Sequence, residues 1–177
     1  MKPHAVLFGG DFTFGDTPSE WDYWLNDWQL TISEEGQLFG IVAARGNHEY
    51  VPSTVYDLFD VPSADAYYAI TFGSDLVRVY TLNSEISVAG DQAEWLKNDL
   101  EMNSSKNCWT FAQYHTPIRP HQSGKSEKDD QYDAWAGLFY KHGMDVVFES
   151  DSHMVKTTKA LKPEINGELG FSEDAIN

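Results

Sequence analysis

The sequence predicts an α/β fold: a sandwich with mixed central sheets flanked by helices. Three observations carry that expectation. Short apolar runs end abruptly in Gly, Ser, Arg or His, as in HAVLFGG (4–10), FGIVAA (39–44), CWTFAQY (108–114) and MDVVFES (144–150). Segments with helical spacing of apolar residues separate them. Two alternating runs, AYYAITFG (66–73) and LVRVYTLNS (76–84), are joined through Gly73-Ser74-Asp75 and read as a β-hairpin. Strands alternating with helices around a hairpin give a layered α/β domain with a mixed sheet.

Element by element, HAVLFGG is a buried strand that stops at its glycines. DTPSEWDYWLNDWQLTIS (16–33) is a helix capped by Thr17 or Ser19, with Pro18 in its first turn. Trp21, Trp24, Leu25, Trp28 and Ile32 form one apolar stripe along it. FGIVAA is a second buried strand leading into the loop RGNHEY. STVYDLFD (53–60) is a short helix with Ser53 or Thr54 as cap. DQAEWLKNDLEMN (91–103) is a helix with Asp91 as its opening residue and Ala93, Leu96 and Leu100 on one face. CWTFAQY is a strand in which Cys108 packs as a small core residue. HTPIRPHQSGKSEKDD (115–130) is a long polar loop, QYDAWAGLFYKHG (131–143) a helix closed at His142 and Gly143, and MDVVFES a strand. MVKTTKAL (154–161) is read as one more strand. His4, on the first strand, and His142, at a helix end where a cation suits the dipole, have structural readings.

The chain has 177 residues, 14% of them aromatic and six of them Trp, which is enough apolar area for one domain with a core. The formal net charge of −16 disfavours binding to a phosphate backbone or an anionic membrane. It suits the attraction of divalent cations. One cysteine excludes an internal disulfide, and no apolar run is long enough to span a bilayer. The abrupt openings MKPHAVLF and NGELGFSEDAIN at the two ends predict a domain over residues 1–177 that is incomplete at its N- and C-termini.

The polar residues at the strand ends are of one chemical kind. Asp11, Asn47, His48, His115, Asp151 and His153 all follow predicted strands, where α/β folds build their sites. Each alone reads as a turn or cap residue. Together they form a mixed set of oxygen and imidazole ligands that Zn, Fe or Mn accepts.

In order, Gly10-Asp11, Gly46-Asn47-His48-Glu49, His115 and Ser150-Asp151-Ser152-His153 resemble the motif series of the calcineurin-like metallophosphoesterase superfamily. GDFTFGD and GNHE together look most like its purple-acid-phosphatase-like branch. The resemblance covers about residues 4 to 161. It implies a phosphoric ester hydrolase with two metal ions (Mn, Fe, Zn or Mg), a small phosphate-ester substrate, and an extracytoplasmic location. Asp11 would bridge the ions, Asn47 and His115 would bind the second, and His153 the first. His48 would contact the phosphate or protonate the leaving group. His121 and Lys125, from the long loop, would reach the phosphate.

Three departures qualify the match. The Asp-bearing motif that precedes Asp11 in the family is missing, which predicts a first ion with few ligands and weak hydrolysis. Phe14 stands where the coloured purple enzymes carry a tyrosine ligand, so their charge-transfer colour is expected to be absent. Asp151 replaces the first His of the G-H-x-H motif, and a carboxylate there shifts preference toward Mn or Mg. Two other readings fit the same residues: a degenerate, non-catalytic member of the superfamily, and an acidic cation-binding module.

Overall fold

The computed structural model describes residues 3–164 and 170–174, so parts of the predicted 1–177 domain at both ends lie outside the described residues. The elements run β1 (Ala5–Phe8), α1 (Pro18–Gln29), β2 (Gly40–Ala43), α2 (Thr54–Phe59), β3 (Tyr68–Phe72), β4 (Val77–Thr81), α3 (Asp91–Asn103), β5 (Trp109–Tyr114), α4 (Asp129–Gln131), α5 (Gly137–Lys141), β6 (Val146–Glu149), β7 (Leu161–Pro163) and β8 (Phe171–Glu173). Strands β1 and β2 pair in parallel. A mixed sheet has the order β3-β4-β5-β6, antiparallel across the hairpin β3/β4 and parallel thereafter. This is the expected mixed α/β architecture. The parallel pairs β1/β2 and β5/β6 carry the chain ends from which the motif loops emerge.

Two aromatic-rich cores hold the layers. Phe12, Trp21, Val42, Val55 and Tyr68 are buried on the β1/β2 side. Tyr80, Leu82, Leu96, Leu100, Tyr114 and Trp135 are buried on the other. Polar cross-links join the β1/β2 pair to the larger sheet. Gln113 on β5 donates from Nε2 to the Val42 carbonyl at 2.8 Å and to Thr81 Oγ1 at 3.0 Å. The Tyr68 hydroxyl donates to the Ala43 carbonyl at 2.8 Å. With Gln113 only 1% exposed, these bonds are dry and directional.

Several sequence expectations are corrected. Thr17 is the α1 cap and forms a capping box with Glu20, but the helix ends at Gln29. Its stripe is narrower than predicted: Leu25, within the helix, and Ile32, beyond its end, are exposed, and Trp21, Trp24 and Trp28 carry the packing. Gly90, with φ 66°, occupies the cap position of α3 in place of Asp91, which is already in the first turn. Cys108 is exposed, because β5 begins one residue later and Cys108 precedes the buried part of the strand. The helix expected at 131–143 starts at Asp129 and passes through a π-helical stretch, Tyr132–Ala136, before α5. Residues 154–160 are irregular, and pairing begins only at Leu161, against the unforeseen β8. Lys156 explains part of that: its ammonium reaches back to the Arg119 carbonyl at 2.6 Å and to Glu149. Among the described residues no helix is long and apolar enough to cross a membrane.

Gln113→Ala removes one of the two cross-links, together with the bond to Thr81, and leaves the Val42 carbonyl without its buried donor. The expected cost is about 1–3 kcal/mol, read as a lower urea midpoint with an unchanged m-value.

Candidate metal centre

The loop after β1 turns sharply. Gly10 has φ 87° and Asp11 φ 56°, a left-handed conformation that Asp tolerates better than most residues. The turn brings Asp11 against the loop after β2. A Cβ on Gly10 would run into the backbone of Arg45 and Gly46, and one on Gly46 would strike Asp11. The glycines of the two motifs thus meet backbone to backbone.

One buried anion holds that meeting point together. Glu49, with 0% exposure, accepts from the backbone N–H groups of Asp11 (2.9 Å), Phe12 (2.9 Å) and Gly46 (2.7 Å). Burial pushes its carboxyl above the usual range, while the three N–H donors act to keep it ionised. Arg45 folds back and donates twice to the Glu49 carbonyl, at 3.1 and 3.0 Å. Asp11 in turn accepts from the His48 N–H at 3.0 Å.

His115 follows directly on β5 and is 1% exposed. Its Nδ1 lies 2.7 Å from the Gly9 carbonyl. A carbonyl only accepts, so Nδ1 carries the proton and Nε2 is the free nitrogen. Around Nε2 stand Asn47 Oδ1 at 3.1 Å, Asp11 Oδ2 at 3.2 Å and Asp151 Oδ1 at 3.7 Å. Ligand atoms of Asp11, His115 and Asp151 all lie within 4.8 Å of one another. Four electron-pair donors facing one point repel unless a proton or a cation sits among them. A divalent ion satisfies them all, and the carbonyl-held imidazole is the usual arrangement of a metal-binding histidine. The donor set, one imidazole nitrogen with amide and carboxylate oxygens, fits Mn, Fe or Zn. The residues present therefore fit a metal.

Without an ion, a proton takes its place. Burial alone would lower the His115 pKa, but the bonds to Asp11 and to the Gly9 carbonyl raise it. Asp11, which burial would raise, is held below its ordinary value by His115 and the His48 N–H.

The remaining predicted residues divide. Asp151 has φ 58° and joins the cluster, but its Oδ1 also accepts from the Lys125 ammonium. Lys125 and Asn47 line a cleft of about 320 Å³ beside the cluster, with Glu85, Thr116 and Lys128. His48 is adjacent, its Nδ1 bonded to the Phe14 carbonyl at 2.6 Å. His153 is exposed, with φ 51°, and is not one of the residues whose ligand atoms converge. His121 is exposed and does not line the cleft. Sequence reading placed Glu49 in its motif without a role, and missed Glu85, Thr116 and Lys128. Glu49 carried a signal, since a carboxylate amid Gly-rich backbone is a natural acceptor for loop amides. Glu85 and Thr116 gave none, as their closeness depends on parallel pairing of β4 and β5.

The His115–Asp11 pair makes stability depend on pH. A raised His115 pKa contributes fully below its ordinary 6.5 and is lost as pH rises through the folded value. A lowered Asp11 pKa contributes above its ordinary 3.8 and is lost as pH falls through the folded value. The pair therefore stabilises most between these two. The urea midpoint of metal-free protein should fall as pH rises above about 6.5, the ordinary value of the ring. His115→Gln should remove most of that fall, and saturating Mn²⁺ should reverse it, because a metal requires the deprotonated ring.

A family model described as Calcineurin-like phosphoesterase matches residues 1–155. No curated protein matches the chain. The matched span contains every loop that contributes to the cluster, from Asp11 to Asp151. The chain belongs to the calcineurin-like phosphoesterase family.

Proposed function

We propose that the protein is a metal-dependent phosphoric ester hydrolase of small phosphate esters, within the purple-acid-phosphatase-like branch. The observation that carries this reading is the convergence of Asp11, Asn47 and Asp151 oxygens on the free Nε2 of a carbonyl-oriented His115. The branch assignment rests on the sequence pairing of GDFTFGD with GNHE.

When bound, the metal would polarise the phosphoryl group and lower the pKa of a water that attacks phosphorus in line. Asp11, Asn47, His115 and Asp151 would hold one ion. In the dinuclear form of the reading, Asp11 and His153 would hold a second ion. The chain's own residues supply the rest. Lys125 and Lys128, on the cleft wall, offer cationic donors to phosphate oxygens. Lys125 would exchange its bond to Asp151 for one to the substrate. His48 is oriented by the Phe14 carbonyl at Nδ1, which leaves Nε2 to carry a proton to the departing alkoxide.

The test is turnover of p-nitrophenyl phosphate and bis(p-nitrophenyl) phosphate by the purified protein loaded in turn with Mn²⁺, Zn²⁺ and Fe³⁺. Asp11→Asn should lose bound metal and turnover together. His48→Ala should keep its metal and lose roughly 10²–10⁴ in kcat. A metal-loaded protein that hydrolyses neither ester would defeat the proposal in favour of a non-catalytic member of the family. Loss of metal on His48→Ala would instead make His48 a ligand.

A further inference from the structure

Phe14 is 78% exposed, yet it sits two residues from the buried Phe12. Single exposed apolar residues are ordinary. Here two come together around one histidine: Phe14 and Tyr50, the latter at 59% exposure. The Phe14 ring lies 4.9 Å from the His48 ring, tilted by 31°. The Tyr50 ring lies 6.0 Å from it, at 41°. The Phe14 carbonyl accepts from both His48 Nδ1 and the Tyr50 hydroxyl, at 2.6 and 3.4 Å. His48 is itself one hydrogen bond from the cluster, through its N–H to Asp11.

The backbone that carries these rings is held in place. Gly15 N–H donates to Glu20 Oε2 at 3.1 Å and Asp16 N–H to Thr13 Oγ1 at 3.0 Å, fixing the turn behind Phe14. Asp16 then accepts from the Trp21 indole at 2.8 Å and from the Val51 N–H at 2.7 Å, tying the Phe14 turn to the segment after Tyr50. A fixed aromatic surface binds at little ordering cost. The cleft on which Lys125, Lys128, Glu85 and Thr116 open is polar and suits phosphate oxygens, not a ring.

We infer that Phe14 and Tyr50 form a stacking platform that selects phosphate esters with an aromatic leaving group, aryl or nucleobase-bearing. The inference rests on the hydrolase reading and names the substrate class of that same site. It also gives Phe14 a role at the place where a metal-binding tyrosine was the comparison.

Binding of two non-hydrolysable probes to the Mn²⁺-loaded protein tests it by calorimetry. Phenylphosphonate and n-butylphosphonate share the phosphonate and have comparable apolar area, but only one stacks. The wild-type protein should prefer the phenyl compound by about tenfold. Phe14→Ala and Tyr50→Ala should each cut that ratio several-fold, and Phe14→Leu, which keeps apolar area without a ring, should cut it nearly as far as Phe14→Ala. Phe14 is a surface residue, and circular dichroism checks that each variant is folded. Equal affinities in the wild type, or a ratio that survives both alanine variants, overturns the platform while leaving the phosphoester reading intact. Failure of both phosphonates to bind overturns both readings.

Discussion

The bond from His115 Nδ1 to the Gly9 carbonyl governs the rest of the centre. It crosses between the two groups of strands, from the end of β5 to the end of β1. It decides which nitrogen carries the proton, and therefore which faces Asp11, Asn47 and Asp151. Without it the ring could rotate and present a donor to acceptors, and the cluster would lose its need for a cation. The structural cross-links serve this one contact. Gln113, two residues before His115 on β5, and Tyr68 on β3 both bond to carbonyls of the β2 end. They hold the strand ends at the spacing the imidazole must bridge.

Glu49 works on the same problem from beneath. A loop that turns back on itself leaves amide N–H groups unpaired, and burying them is costly. One carboxylate takes three of them, from two different loops. The centre is thus a layered arrangement: a buried carboxylate that fixes backbone, a backbone that fixes Asp11 and Asn47, and a histidine that faces them. Charge follows the layers. Asp11 and Asp151 are answered by the His115 ring and the Lys125 ammonium, so the side chains themselves set the charge pattern that a metal would complete.

Much of this was legible in the chain. Apolar runs stopping at Gly10, Arg45, His115 and Ser150 gave the strands, and their order gave Asp11, Asn47, His115 and Asp151 as neighbours. What escaped depends on longer-range geometry. The strand expected at 154–161 has the β-branched composition of a strand, but Lys156 is drawn to the Arg119 carbonyl and the segment finds no sheet edge until Leu161. The apolar spacing at Leu25 and Ile32 is real, but α1 ends before Ile32 can face the core. His153 carries the right residue type two positions after Asp151. There the backbone is in a left-handed conformation at both residues, and alternation along a strand no longer decides where a side chain lies. Periodicity reads faces of regular elements, and it fails where the chain leaves them.

The backbone contact between Gly10 and Gly46 has a consequence for how this site can be explored by mutation. Neither glycine offers a functional group, yet a methyl at Gly46 would occupy the volume of the Asp11 carboxylate, and one at Gly10 that of the Arg45–Gly46 peptide. A screen of metal binding over every position would therefore rank these two silent residues alongside the candidate ligands. The distinction would emerge only from what is lost: at a ligand, affinity for the ion with the loop in place; at either glycine, the shape of the loop itself.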